Sequence, residues 1–575
     1  MTMEREGKMN GKTTVFAAMA FAAAGLTLFG GGHERKKFVA LGWDVMWATP
    51  QQLLERAGEF QSTGVSGIVP TLFGELPDGT RISPRRLMHE PAWTEEAFAK
   101  DAPVWKKLLA KPCFSESFAA PLRMPTNRVA WADDAWWARV AGNMRIFGRV
   151  ARDFGFRGIE IDHEDYPNAR PMVRRDDDPP FAELAKLVRR RGREMFRPFF
   201  EEFPDAVLFG CRFFTVDPDF WNYYYGHPDP LARAEAWGDL WPAFLNGLLD
   251  AMPRTAILVE GDESGYRYES SRKEFHEAYA RLNQRLLPLI EPKNRIKYRA
   301  LSRVAFPIYL DMYSAHAEGS RYYRGPVGGS RAIHCERNLS EAFDTSDSYC
   351  WVYGERAAWV HWPRHPDPRA TLGESTWDEL LPGLYSVLRA KSDPDGFAKA
   401  RFAGLTADER EANILKEVVE SAAGRYSQNG FHEMSSLPRP FVGWQAKENP
   451  GRFGIVTQAG EPPALCAEGV GRGGIMFSDA TLKEGDYVLV SLEMKGRSTG
   501  VYSRVLREGV GQDLMYPTVT FAASEGTFAD WHRVYAILRI PDDAQGLMVS
   551  ADMKQRPGER LLLRGFHCAP IIRIK

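Results

Sequence analysis

The sequence predicts an α/β fold class: a (β/α)8 TIM barrel followed by an all-β, jelly-roll-like sandwich. Three observations lead there. From residue 36 to residue 390, short apolar strands alternate with amphipathic helices, with eight strands in the series. No glycine-rich phosphate loop follows an early strand, which counts against the runner-up, a doubly wound open sheet. Beyond residue 424 the texture turns to alternating strands and turns, the pattern of a sandwich.

The elements follow in order. Strand one is predicted over 38–44, and Pro50 opens a helix running through 51–61. Strand two covers 64–73. The next helix, 94–110, has Thr94 as N-cap and acids in its first turn. Strand three covers 114–124, and a long helix at 133–154 carries Trp136, Val140, Met144, Phe147 and Val150 on one side. An acidic fourth strand follows Phe156. Then come a helix at 181–203, strand five at 206–214, a helix at 232–251, strand six at 255–262 and a helix at 271–289. Strand seven lies within 296–313 and strand eight over 348–355, and a helix at 377–390 closes the series. Residues 391–424 read as a linker with a polar helix capped by Thr406. Residues 425–575 form the sandwich, with strands at 485–494, 531–538, 546–553 and 560–567.

A chain of 575 residues with 44% hydrophobic and 26% charged residues is that of a globular protein of two or three domains. Net charge is −1, so no global field draws in nucleic acid or an anionic membrane. Tryptophan and tyrosine are plentiful, at 16 and 20, and both make flat platforms for sugar rings when they stand in loops.

The first 32 residues read as a signal peptide. Lys8 and Lys12 precede an apolar run, 13–31, which polar residues then close. Export leads to a secreted or periplasmic location, with no membrane association after cleavage and an oxidising compartment in which the six cysteines can pair. Cys335 with Cys350 and Cys466 with Cys568 are candidate bridges, while Cys113 and Cys211 read as buried thiols. No cofactor is implied. The cysteines lack zinc spacing, and adjacent acids at 162–165 diverge on a strand, so no metal set emerges either.

The most informative segment is Gly158-Ile159-Glu160-Ile161-Asp162-His163-Glu164. Period two sends Ile159 and Ile161 one way and Glu160, Asp162 and Glu164 the other. Burying such a row of acids is costly, but at the mouth of a barrel the last two enter a polar pocket suited to acid–base chemistry. The structural alternative is a strand end whose acids pair with arginines such as Arg157 or Arg174.

This segment, followed by Tyr166-Pro167, resembles the fourth-strand signature of family 18 glycoside hydrolases, the chitinase-like enzymes. The resemblance implies a glycosidase-like barrel in which Glu164 is the proton donor and Asp162 orients the substrate. It departs from the signature at Arg157, Glu160 and His163, and Asp165 is inserted. Other barrel glycosidases carry an Asp nucleophile on strand four and an acid on strand six, a role open to Asp162. The C-terminal region resembles jelly-roll carbohydrate-binding modules of secreted polysaccharide-degrading enzymes. The matching residues are Asn429-Gly430-Phe431-His432-Glu433 with Gly443-Trp444, and Leu482-Lys483-Glu484-Gly485-Asp486-Tyr487.

Glycoside hydrolysis needs two carboxyl groups. Strand six offers Glu260 and Asp262, which share parity, with Gly261 between them; the alternative is an acidic turn capping the next helix. Strand seven offers Tyr309 and Asp311. Strand eight offers Trp351, Tyr353 and Glu355, with Trp351 as a stacking floor or a core tryptophan. Strand one ends in Trp43, Asp44 and Trp47. Trp221 stands in an aromatic cluster after strand five, and Arg212 either binds an acidic sugar or pairs with Glu160.

The sequence thus points to an exported glycoside hydrolase with a carbohydrate substrate. Its catalytic residues would be Glu164 and Asp162 with Glu260 or Asp262. The alternatives are a non-catalytic carbohydrate-binding protein on a barrel scaffold and a polysaccharide lyase.

Overall fold

The computed structural model describes residues 35–123, 128–162, 171–214, 229–268 and 271–407, and then the strands and a few turns between 441 and 574. The predicted signal peptide, Glu164, Trp221, most of the linker helix and the 429–433 and 482–485 motif residues lie outside the described residues. No helix among the described residues is long and apolar enough to cross a membrane.

Two parallel sheets organise the first part of the chain. One comprises β1 (Lys37–Gly42), β2 (Gly67–Ile68), β8 (Phe306–Tyr309) and β9 (Tyr349–Gly354), in the order β8-β9-β1-β2. The other comprises β3 (Phe118–Leu122), β4 (Gly158–Ile161), β5 (Val207–Gly210), β6 (Ile257–Glu260) and β7 (Ser302–Val304), paired in chain order. Hydrogen bonds run between the sheets at both edges. Glu116 donates its N–H to Ser66 O and Ile68 to Ser117 Oγ, while at the other edge Asp347, just before β9, donates its N–H to Val304 O on β7.

Strand side chains split by parity. Val39, Leu41, Phe118, Val207, Phe209, Val259, Tyr349 and Trp351 pack with one another in their own core. Phe38, Ala40, Ile159, Ile161, Leu208 and Leu258 join the helices in a larger one.

Each predicted strand of this first part is found, shorter than expected, and the seventh is split into β7 and β8, which belong to different sheets. Beyond Gly42 the chain turns into a one-turn helix, α1 (Trp43–Trp47), so strand one ends two residues early. The helix α2 (Asp134–Phe154) matches its prediction: Asp133 accepts the N–H of Trp136, and Gly155 ends it in the left-handed region at φ 98°. The predicted helix over 94–110 is instead a short turn at Glu96–Phe98 and a helix at Ala102–Leu109, with no Thr94 cap. The one over 232–251 is two helices, Pro230–Trp237 and Trp241–Ala251, because Gly238 turns left-handed between them. The start of the predicted seventh-strand segment is helical, Pro292–Leu301. A helix not read from the sequence, α3 (Arg331–Thr345), precedes β9, with Ser330 as its N-cap.

The C-terminal part is two five-stranded antiparallel sheets. One holds β10 (Arg452–Val456), β11 (Ala464–Glu468), β12 (Tyr487–Ser498), β13 (Gly526–Arg539) and β14 (Arg560–Ile572), in the order β10-β11-β14-β12-β13. The other is built from Phe441–Trp444, Gly473–Asp479, Gly500–Arg507, Pro517–Thr520 and Ala544–Met553. The candidate bridge Cys466–Cys568 is not formed, nor is Cys335–Cys350. Cys466 pairs across the ladder with Leu562, six residues before Cys568 on β14, a distance of roughly 20 Å along a strand.

The first sandwich sheet docks on the helices of the first part. Phe402, in the helix Pro394–Ala403, packs against Tyr535 and His567 under the guanidinium of Arg533. Arg401 donates to Ile571 O at 2.9 Å.

Candidate active site at the carboxyl ends of the parallel strands

The acidic strand keeps its predicted parity. Gly158 is required where β4 meets β5, since a Cβ there would lie 1.8 Å from Val207 O. Glu160 is buried and accepts a hydrogen bond from Cys211 Sγ at 3.0 Å. Burial, reinforced by the charge of Asp162, pushes the Glu160 carboxyl well above the usual range. Asp162 sits just past the strand, donating its N–H to Leu122 O, and its carboxylate meets Arg123 Nη2 at 3.2 Å. Arg123 was not singled out in the sequence.

Strand six departs from expectation. Both oxygens of Glu260 are occupied: Oε1 accepts the N–H of Phe213 at 2.8 Å and Oε2 that of Phe214 at 2.9 Å. The carboxylate thus staples the turn after β5 and does not open onto a cleft. Asp262 is buried, with φ 38°, the left-handed region that non-glycine residues rarely enter. Its Oδ2 accepts from Tyr268 Oη at 2.8 Å, and that hydroxyl in turn accepts from Arg281. The left-handed residue breaks the period of two, so shared parity with Glu260 does not aim Asp262 at the mouth. The next side chain, Glu263, is the partly exposed one, and it meets Arg212 at 3.2 Å. Arg212 therefore pairs with Glu263 and not, as expected, with Glu160. Burial pushes the Glu263 carboxyl up, with Asp162 and Asp262 acting the same way against Arg212.

At β8 and β9 the expected set is brought together. Tyr353 donates its hydroxyl to Glu355 Oε1 at 2.6 Å and Tyr309 to Oε2 at 3.2 Å, so two phenols orient one carboxylate. The Glu355 N–H is donated to Asp311 Oδ2 at 2.7 Å. Asp311 is fully buried in a helical turn, Asp311–Ser314, and burial pushes its carboxyl up to about 7. Its Oδ1 has no hydrogen-bond partner among the described residues; the Arg356 guanidinium is 3.9 Å away. Tyr266, unread in the sequence, stacks between these residues, with ring centroids 5.2 Å from Tyr309 and 5.4 Å from Trp351.

Trp351 corrects the expectation of a stacking floor. It is 1% exposed, packs on Phe209 and Tyr266, and donates Nε1 to Gly261 O at 2.8 Å. An indole with its polar edge satisfied and its faces covered belongs to the core. Asp44 is likewise a brace: it is buried and accepts from the Trp359 N–H and Trp362 Nε1, tying α1 to the segment after β9. Trp43 and Trp47, four residues apart on α1, share one side of that turn and are half-buried. Arg369 lies over Trp43 at 4.3 Å and Arg85 over Trp47 at 5.0 Å.

One charge lies at the centre of this arrangement. Asp162 acts on Glu160, Cys211, Glu263 and Tyr353, residues from the ends of β4, β5, β6 and β9. Arg85 acts on Glu160, and Arg369 on Glu355 and Tyr353. Carboxyl groups, guanidinium partners and aromatic rings thus come together at the ends of these strands, and burial raises the carboxyls of Glu160 and Glu263. No cluster of three or more His, Cys, Asp or Glu among the described residues could hold a metal ion.

No family model and no curated protein matches this chain. Among solved structures it is similar to a carbohydrate-binding module described as "CBM4 structure and function", 14% identical, over 24% of this chain and 92% of that one, with a TM-score of 0.19. It is similar also to the CBM22-1 xylan-binding domain from Paenibacillus barcinonensis Xyn10C, 14% identical, over 25% of this chain and 91% of that one, TM-score 0.19. A third is the enzymatically active domain of tailspike protein 4 of bacteriophage CBA120, 8% identical, TM-score 0.19. That match spans 23% of this chain and only 20% of the tailspike domain.

Proposed function

We propose that the chain is an exported glycoside hydrolase whose parallel strands close into a (β/α)8 barrel, with a carbohydrate-binding-module-like sandwich at its C-terminal end. Closure is supported by the continuous order of parallel pairings and by the hydrogen bonds that join β2 to the segment before β3 and β7 to the segment before β9. Placing the chemistry at the carboxyl ends of the strands follows from that architecture.

The observation that carries the reading is the position of Asp162. It is paired with Arg123, and its charge acts on side chains from four strand ends. A carboxylate so placed can stabilise an oxocarbenium-like centre while a neighbouring carboxyl delivers the proton. Glu355, held by Tyr309 and Tyr353, suits a hydrogen-bond partner for sugar hydroxyls, and half-buried Trp43 and Trp47 suit a stacking wall.

The test is a screen of the purified full chain against polysaccharides and 4-nitrophenyl glycosides. Release of reducing ends or nitrophenol is expected, with turnover abolished in Asp162→Asn and Glu164→Gln variants that keep the wild-type melting temperature. The engagement of Glu260 and Asp262 in structural hydrogen bonds favours one other reading, a barrel that only binds carbohydrate. Saccharide binding without bond cleavage would establish it.

A further inference from the structure

We propose that Glu263 donates the proton to the leaving-group oxygen; this rests on the glycosidase reading above and names a residue of the same site. Placement is the first support. Of the three acids at the carboxyl end of β6, Glu260 and Asp262 are sealed in, whereas Glu263 keeps 31% of its side chain exposed. The turn that presents it is specific. At Gly261 a Cβ would lie 2.4 Å from Gly210 O, and the left-handed Asp262 then swings the chain so that the following side chain emerges beside Arg212.

Electrostatics are the second support. Burial together with the charges of Asp162 and Asp262 outweighs Arg212 and favours the protonated carboxyl. Asp162, facing Arg123, supplies the opposite charge nearby. A carboxyl raised in this way, beside a second carboxyl engaged by an arginine, divides the roles of proton donor and stabiliser between the two.

The step balances. The proton leaves Glu263 for the glycosidic oxygen as the bond from that oxygen to the anomeric carbon breaks, and the aglycone departs as an alcohol. The cationic sugar, stabilised by Asp162, takes hydroxide from water, and the remaining water proton restores Glu263. Arg212 is a positioning residue that fixes the carboxyl and touches no reacting atom.

A proton donor is needed most where the leaving group is poor, which gives the experiment. Glu263→Gln is compared with wild type on the sugar identified by the screen, as an oligosaccharide and as its 2,4-dinitrophenyl glycoside. Loss of about 100-fold or more in kcat/KM is expected on the oligosaccharide, but less than about tenfold on the activated glycoside, with the alkaline limb of the pH profile removed. Should Glu263→Gln fail to fold, Glu263→Asp retains the charge beside Arg212 and is expected to show the same split. Equal losses on both substrates, activity within about twofold of wild type on both, or appearance of the split in Glu164→Gln instead, would each overturn the assignment and leave the glycosidase reading standing. Absence of any hydrolysis by wild type would overturn both.

Discussion

Arg539 donates through Nε to both carboxylate oxygens of Glu336, at 2.7 and 2.9 Å, across the boundary between α3 and the sandwich strand β13. Tyr487, on β12, adds its hydroxyl to Oε1 at 2.6 Å, and Ser340 adds another at 2.6 Å. Glu336 is only 3% exposed, so an anion there is tolerable because these four hydrogen bonds converge on it. Burial alone would raise its pKa; Arg539, Ser340 and Tyr487 outweigh that and hold it below the usual range.

Removing one side of this contact leaves buried polar groups unmatched. Glu336→Ala should cost about 3 kcal/mol, the lower end for breaking a buried pair. The sign of the pH dependence follows from the lowered folded-state value. The unfolded chain binds the proton first, so the stabilisation is complete above the unfolded value near 4.5 and disappears as pH falls through the folded one. Melting temperatures measured from pH 3 to pH 7 should therefore fall more steeply on the acid side for wild type than for Glu336→Gln. Parallel curves would show that the carboxylate is not linked to stability.

Glu260 gives a second prediction. Its two oxygens accept two main-chain N–H groups, so an amide at this position must turn an NH2 toward one of those donors. Glu260→Gln should lose about 2 kcal/mol, the scale of an unsatisfied buried donor, read as a lowered midpoint in urea with unchanged slope. An unchanged midpoint would show that the staple does not matter to stability.

Glu160 and Glu260 mark what the sequence could and could not disclose. The alternation Ile159-Glu160-Ile161-Asp162 specified a strand with acids on one face, and the structure keeps it, because a strand has only one way to separate neighbouring side chains. The same parity rule failed at Glu260-Gly261-Asp262 since a single left-handed residue cancels it, and a left-handed Asp carries little sequence signal. Gly261 was the available hint. At Trp43–Trp47 the rule failed because the strand had already ended, while the four-residue spacing of the tryptophans matched a helical turn all along. The predicted helix over 94–110 begins anew at Ala102, with Pro103 in its first turn, and that over 232–251 breaks at Gly238, residues that a periodicity count averages over. In the sandwich, β13 shows the alternation that its sequence predicts, with Val534, Ala536 and Leu538 buried, whereas β12 is buried on both faces from Tyr487 to Leu492.

Asp311 yields a third prediction, opposite in sign to Glu336. Its folded pKa, about 7, lies above the unfolded value near 3.8, so the native state binds the extra proton. Stability contributed by this group is present at low pH and declines as pH rises from about 4 to about 7. Asp311→Asn keeps an oxygen for the Glu355 N–H and removes the ionisation. The variant should melt higher than wild type at pH 8, by the equivalent of on the order of a few kcal/mol, and about equally at pH 4. A lower melting temperature at pH 8 would mean that Arg356, 3.9 Å from Oδ1, already compensates the charge.

The last prediction concerns the turn that presents Glu263. At Gly261 an added Cβ meets Gly210 O at 2.4 Å and Cys211 O at 3.0 Å, both main-chain atoms of the neighbouring strand end, which cannot rotate aside. The Gly261 N–H is donated to that same Gly210 O at 2.8 Å, and its carbonyl accepts from Trp351 Nε1, so the residue is fixed from both sides. Gly261→Ala must therefore move β6 away from β5 or break these bonds. A loss of about 2 kcal/mol is expected, within the range for overpacking a close contact. Because the displacement carries Glu263 with it, hydrolysis of an unactivated substrate should fall further than that of a 2,4-dinitrophenyl glycoside at a temperature where the variant remains folded. Full stability together with wild-type kinetics would show that the strand ends can part freely, and that the turn does not set the position of the acid.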